Sequence, residues 1–372
     1  MDHASIYSAE RATRGDNTNE TQSKTMMGEY HKYTVRKLIF IVGCTISMFL
    51  VMGYALTIGS SNISFIEVYQ TIFNHFFNPD AVNPDFDWAI FTIRMPRVLG
   101  GLIAGMSLGV AGAAMQSMMK NPLADPYTTG ISSGASFGAT LALGLGLTFA
   151  GIGGSLGLVL FAFVFSLVPA AVIILVSSMR STSAATMILA GIAVMYLFNA
   201  CTTLIKLGLS DASLSAVFQW SIGDLSSVTW TGCEIMACFT VVGTLVLIMM
   251  SKKLNILITG DKNATALGLD AHKLRLILLV LISLMAASVV CFTGIIGFIG
   301  LVSPHIIRMF LGSDNRYLIP ASAAFGAVLL MVSDLIARVI LAPTFLPVGV
   351  ITSFIGGPIF LYLLVKQRKS VW

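Results

Sequence analysis

Few residues in this 372-residue chain are of a type that could do chemistry, and most lie in or beside apolar runs. Asp334 and Arg338 stand four apart in one such run, so on a helix they share a face. A lone charge in hydrocarbon is costly, which predicts that the two pair, as a structural ion pair or as part of a transport route. Arg94 and Arg97, in Ile93-Arg-Met-Pro-Arg97, open a glycine-rich run. Gln116, Asn121 and Pro122 close it in Met115-Gln-Ser-Met-Met-Lys-Asn-Pro-Leu-Ala-Asp-Pro126. Pro122 and Pro126 stop helices there, and Asp125 suits the cap of the next helical segment, so the stretch reads as a rigid turn. Further on comes Gly260-Asp261-Lys-Asn-Ala264-Thr-Ala-Leu267-Gly268. Asp261 as N-cap and Gly268 just past the end bracket a helix of about two turns. It is either a plain connection or a surface for another protein's groove.

Chemistry of other kinds finds no support in the pattern. There is no G-x-x-x-x-G-K-[ST] to cradle phosphates, no H-E-x-x-H and no G-x-S-x-G. His3, His31, His75, His272 and His305 are scattered, without ligand spacing. Cys44, Cys201, Cys233, Cys238 and Cys291 form no C-x-x-C pair and read as small packing residues. The chain is therefore expected not to be an enzyme and to bind no metal or cofactor. If ATP drives it, a separate subunit must supply the nucleotide and its magnesium.

The elements that must position these residues are membrane spans. Hydrophobic residues make up 56% of the chain and charged residues 10%, against about 25% charged in an ordinary soluble domain. A bilayer core takes roughly 20 apolar residues per helical span. Ten segments qualify: 38–58, 91–118, 129–149, 154–177, 184–206, 230–250, 276–293, 296–311, 318–340 and 347–365. The expected fold class is an all-α membrane protein of about ten transmembrane helices, occupying residues 36–370. The eighth span is short and reads as a half-helix after the glycine-rich turn at 294–300. Residues 1–35 are polar and read as a disordered cytoplasmic extension.

Lys and Arg set the orientation. With both termini inside, eighteen of the 22 basic residues face the cytoplasm. Only Arg94, Arg97, Lys206 and Arg338 remain for the outer half, beside Glu67, Asp80, Asp85, Asp87, Asp211 and Asp224. The net charge of +5 and pI near 9.0 thus reflect topology, and nucleic acid is not an expected partner. Residues 64–77 carry apolar residues at helical spacing and suggest a helix lying on the outer surface. Residues 251–275 form the longest basic cytoplasmic loop.

Glycines recur every four residues at Gly101, Gly105 and Gly109, and again at Gly130, Gly134 and Gly138. Such ladders let helix backbones approach closely in lipid. A pathway lined by bare backbone is the functional alternative.

Taken in order, several motifs resemble the permease subunits of type II ABC importers for ferric siderophores, haem and vitamin B12. They are Ile93-Arg-Met-Pro-Arg97, Gln116, Asn121-Pro-Leu-Ala-Asp-Pro126, Gly130-Ile-Ser-Ser-Gly134-Ala, Gly260-Asp261 with Ala264 and Leu267-Gly268, Gly294-Ile-Ile-Gly-Phe-Ile-Gly-Leu-Val-Ser-Pro-His-Ile-Ile-Arg308, Asp334-Leu-Ile-Ala-Arg338 and Leu346-Pro-Val-Gly349. The likeness covers residues 38–368. It implies a ten-span permease in the cell membrane, paired with a second copy of itself or a paralogue, with two cytoplasmic ATPase subunits and an external substrate-binding protein. Arg94, Arg97 and Arg338 match family arginines that meet acidic residues of the binding protein. Residues 260–270 match the coupling helices that enter a cleft in the ATPase, and Ser178–Thr182 match a cytoplasmic gate. Gln116, Asn121, Pro122, Gly134 and Asp334 fall in the pathway and structural motifs. The extension 1–35 has no counterpart in the pattern. A ferric siderophore is the first-choice solute, with cobalamin or haem as alternatives. A transporter driven by an ion gradient is the competing class, which the Asp334–Arg338 pair and the break at 294–300 would allow.

Overall fold

A computed structural model describes residues 33–59, 63–149, 151–179, 184–341, 344 and 346–366. The expected extension 1–35 and the gate loop Ser178–Thr182 lie largely outside the described residues. The chain separates into a unit ending at Gly43 and one beginning at Cys44. Among the described residues every regular element is helical, apart from an isolated bridge between Phe149 and Ile152.

The helices are α1 (Tyr33–Thr57), α2 (Phe65–Phe77), α3 (Pro84–Trp88), α4 (Met95–Met119), α5 (Ile131–Ala139), α6 (Gly154–Met179), α7 (Ala184–Lys206), α8 (Asp211–Ile222), α9 (Trp230–Met249), α10 (Ser251–Ile258), α11 (Asp261–Ala266), α12 (Ala271–Thr293), α13 (Ile299–Leu311), α14 (Asn315–Val339) and α15 (Val348–Lys366). A π-helical turn, Ala89–Arg94, joins α3 to α4, and Pro84–Met119 runs as one apolar helix. Among the described residues, seven helices are long and apolar enough to cross a membrane. The other three expected spans are shorter: α5 with its π turn to Gly144, α13 and α15.

Three local expectations change. Residues 251–275 are not a loop, since α10, α11 and the start of α12 occupy most of them. The span expected to reach 149 ends at Gly144, because Gly146 comes next but one with φ +64°. Helix α8 occupies a stretch that the apolar pattern treats as a connection. Ser210 caps its first turn and Gly223, at φ +78°, ends it. A helix over the stretch 64–77 is present as α2, capped reciprocally by Ser64 and Glu67. Its His75 shares a 2.7 Å hydrogen bond with Asp87 and stacks on Phe91.

Both glycine ladders pack. A Cβ on Gly134 or Gly138 would overlap the carbonyls of Phe165 or Phe161 in α6. On α4, a Cβ on Gly105 would sit 2.5 Å from the carbonyl oxygen of Gly326 in α14, and one on Gly109 would overlap that of Ser322. Helices α4 and α14 are antiparallel and meet at four levels: Arg97 with Asp334, Gly105 with Gly326, Gly109 with Ser322, and Ser117 with Asn315. Steps of eight, four and eight residues on α4 answer steps of eight, four and seven on α14, so one face of each helix carries all four contacts.

Gly109→Ala is expected to lower the thermal unfolding midpoint of the detergent-solubilised protein, at a cost of about 1–3 kcal/mol from overpacking. Gly43→Ala, inside α1 with nothing within 4 Å of the added carbon, serves as the control and should leave it unchanged or raise it slightly.

Candidate functional site

At one end of the α4–α14 pair the chain buries three arginines and one carboxylate. Asp334 is 1% exposed. Arg97 donates to its Oδ1 from Nε at 3.0 Å and from Nη2 at 2.8 Å. Arg338, one turn along α14, donates to Oδ2 from Nε at 2.8 Å and also from Nη2. The predicted Asp334–Arg338 pair is therefore present, and Arg97 completes a triad. A second carboxylate, Asp224, is a third exposed and lies 3.8 Å from Arg97.

The arginines also close a helix end. The last four carbonyls of a helix lack internal partners, and the end carries partial negative charge. Arg94 Nη1 donates to the carbonyls of Leu56 and Thr57 at 3.0 and 3.1 Å. Arg338 Nη1 donates to those of Ala55 and Ile58, both at 3.0 Å. Thus the C-terminal end of α1 is capped by guanidinium groups from two other helices. Arg94 is 4% exposed, Arg97 7% and Arg338 5%, so none presents its charge openly on the surface.

At the opposite end, α4 stops at Lys120, which adopts φ +50°. Asn121 N–H returns to the Gln116 carbonyl and Lys120 N–H to that of Ser117, the bond pattern that ordinarily takes glycine at the left-handed position. Asn121 Oδ1 then accepts from Leu123 N–H at 3.0 Å, and Asp125 caps the 3₁₀ turn before α5. Asn121 and Pro122 thus build a rigid turn. Gln116 donates to the Leu301 carbonyl at 3.1 Å and accepts from Arg308 at 3.4 Å, binding α4 to α13.

Helix α11 stands beside this turn. Its N-cap is Gly260, at φ +120°, and not Asp261. Asp261 is the first helical residue, and its carboxylate is engaged by two cations. Arg275 donates to Oδ2 and Oδ1 at 2.9 and 2.5 Å, and Lys120 to Oδ1 at 2.5 Å. Hydrogen bonds from Arg275, opposed by partial desolvation and reinforced by Lys120, hold this carboxyl well below the usual range. The expected stop at Gly268 is present: Leu269 N–H bonds the Ala264 carbonyl and Gly268 N–H that of Thr265. Ala264 is fully buried, whereas Leu267 is 67% exposed.

Gly134 lies apart from both ends, packed on α6. Sequence reasoning missed Lys120 and Arg275 as partners of Asp261. No spacing signal links positions 141 residues apart. It also missed an open cavity of about 600 Å³ lined by Ser221, Ile222, Ile295, Gly297, Gly349 and Ser353. There the end of α8, the break before α13 and the start of α15 meet backbone to backbone: Asp224 N–H donates to the Thr293 carbonyl at 2.8 Å and Gly349 N–H to that of Gly223 at 3.1 Å.

Seven long apolar helices, shorter ones completing ten segments, and charge gathered at the ends of a tight helix pair define a multi-pass α-helical membrane protein. Its fold is that of an ABC transporter assigned to the metal-chelate type and solved in an inward-facing conformation, with a TM-score of 0.77 and 27% identity over 88% of this chain and 99% of that one. The model of the FecCD transport family matches residues 44–366, and the chain belongs to that family. It is 40% identical to an ABC transporter permease protein of Methanocaldococcus jannaschii over 92% of this chain and 99% of that one. It is 34% identical to the hemin transport system permease protein of Yersinia pestis, over 86% and 95%.

Two consequences can be measured. Asp334→Asn leaves Arg97 and Arg338 facing a neutral group and should cost about 3–5 kcal/mol of stability, as for other broken buried pairs. Asp224→Asn, at the partly exposed carboxylate, should cost about 0–1 kcal/mol. Thermal unfolding of both variants in detergent checks the contrast. For Asp261, a folded-state pKa below the unfolded one stabilises the fold above the ordinary carboxylate range near 3.9 and is lost only as pH falls through the depressed value. The Asp261 carboxyl ¹³C resonance should therefore stay that of the anion from pH 7 down to pH 4.

Proposed function

We propose that this chain is the membrane-spanning permease subunit of an ATP-driven importer that moves a metal chelate, a ferric siderophore first, into the cell. The observation that carries the reading is α11. It is a short helix whose polar face and Leu267 are open to solvent, while its buried side is fixed to α4 and α12 through Asp261. A short helix, exposed on one side and anchored on the other, suits a groove in a partner that moves. The partner assigned to it on this reading is a pair of ATPase subunits docking on residues 260–268. On this reading the Lys120 end faces the cytoplasm, with both termini, and the Arg97 end faces outward in the cell membrane. A second copy of the chain completes the pathway, with the cavity beside Gly297 and Ser353 along it.

Arg94, Arg97 and Arg338 take the docking role toward an external binding protein in a modified form. Acidic side chains of that protein would compete with Asp334 for Arg97 and with the α1 carbonyls for Arg94. Docking and the end of α1 are then linked, and the arginines contribute as a charged foundation under the outer face. The relatives support a chelate as the class of solute, since hemin and a metal chelate are named for proteins of the same fold.

Uptake of labelled ferric siderophore and labelled cobalamin, in cells with and without the chain, tests the reading. Loss of iron uptake on deletion and with Leu267→Asp, at undiminished amounts of the protein in the membrane, is the expected result. Loss of cobalamin uptake alone replaces the solute, and uptake indifferent to Leu267→Asp overturns the assignment of α11.

A further inference from the structure

The end of α4 near Lys120 gathers more connections than a helix terminus needs. Within one turn Ser117 donates to Asn315 Oδ1 at 2.8 Å, the Met118 carbonyl accepts from Arg275 Nε at 3.3 Å, and Lys120 Nζ reaches Asp261. Asn315 is bonded in turn to Asn255 of α10, by Nδ2 at 2.9 Å and by its N–H at 2.8 Å, and Asn255 donates to Asp314 at 2.7 Å. The α10–α11 arm is therefore fastened to the end of α4 by three routes, Asn255–Asn315–Ser117, Asp261–Lys120 and Asp261–Arg275–Met118. Arg275, 2% exposed, ties α11, α4 and α12 into one triangle.

The backbone at Lys120 points the same way. A side chain in the left-handed conformation costs about 1–2 kcal/mol, and glycine would avoid it. Lysine stands there instead, with its ammonium on Asp261. A strained residue kept where a cheaper one would fold is a mark of function.

We propose that Lys120, Asp261 and Arg275 form a positioning clamp that makes α11 and the last turn of α4 move as one body, so that a displacement of α11 is delivered to the α4–α14 pair and not absorbed in the connections around it. The inference rests on the reading of α11 as the ATPase contact. Lys120 and Arg275 touch neither nucleotide nor solute and act by holding α11. The geometry makes α4 the driven helix. Its glycine contacts with α14 leave no slack, so the motion passes along the pair toward Arg97 and Asp334.

The test is hydrogen exchange by mass spectrometry on the chain reconstituted in nanodiscs with its ATPase subunit, before and after trapping with Mg-ATP and vanadate. In the native protein, peptides covering 261–266 and 112–119 should both change their exchange on trapping. In Lys120→Met the response of 112–119 should shrink by about threefold, the scale of a partly exposed ion pair, while 261–266 still responds. Lys120→Arg should restore it. Unaltered exchange across 315–339 before trapping shows that the variants are folded. An undiminished response of 112–119 in both Lys120→Met and Asp261→Asn overturns the clamp. If 261–266 does not respond even in the native protein, the ATPase contact is assigned wrongly, and the isolated chain then decides the clamp alone. There, exchange at 261–266 should be about threefold faster in Lys120→Met than in the native chain, and equal rates overturn the clamp.

Discussion

The close contact between α4 and α14 is the constraint on which the rest of the molecule depends. In lipid, helices gain little from burying apolar surface against each other, so association relies on fit and on polar contacts. Gly105 and Gly109 face Gly326 and Ser322 with no room for a methyl group between the helices. That spacing brings Arg97 onto Asp334 at one end and Ser117 onto Asn315 at the other. The same α4 also meets α13, where Gly112 abuts the Gly300 carbonyl and Gln116 bonds that of Leu301. One glycine-lined helix thus sets the positions of both charged ends.

The two ends solve different problems with the same residue types. At the Arg97 end, charges are removed from solvent and must be satisfied internally. Asp334 and the carbonyls of α1 do this, because a buried guanidinium without partners would be far too costly. The arginines thereby fix the C-terminal end of α1. At the Lys120 end the carboxylate is half exposed, and its pairing with one buried and one partly exposed cation orients a short helix that could not hold its shape alone. One cluster is a foundation and the other is a joint.

Much of this was legible beforehand, for identifiable reasons. Apolar runs near span length located the ten helical segments, since the bilayer's thickness sets a length that few other folds need. The i, i+4 spacing predicted that Asp334 meets Arg338, and Gly268 marked the end of α11. Where the reading missed, a local rule met a tertiary competitor. Asp261 has the chemistry of an N-cap, but two cations draw its carboxylate more strongly than a single backbone N–H would. Residues 251–275 look like a loop by charge, yet Leu254, Leu257 and Ala264 are buried and fold the segment into helices.

By itself, the sequence determined the membrane class, the long apolar segments and their order, and the family, because all of these come from hydropathy and from motifs local in the chain. Which charges share a partner was decided only by the tertiary structure. Arg97 reaches Asp334 across 237 positions and Lys120 reaches Asp261 across 141. No periodicity spans such intervals. Only the packing of α4 against α12 and α14 brings those atoms within hydrogen-bonding distance, and with them the distinction between a buried foundation and an exposed joint.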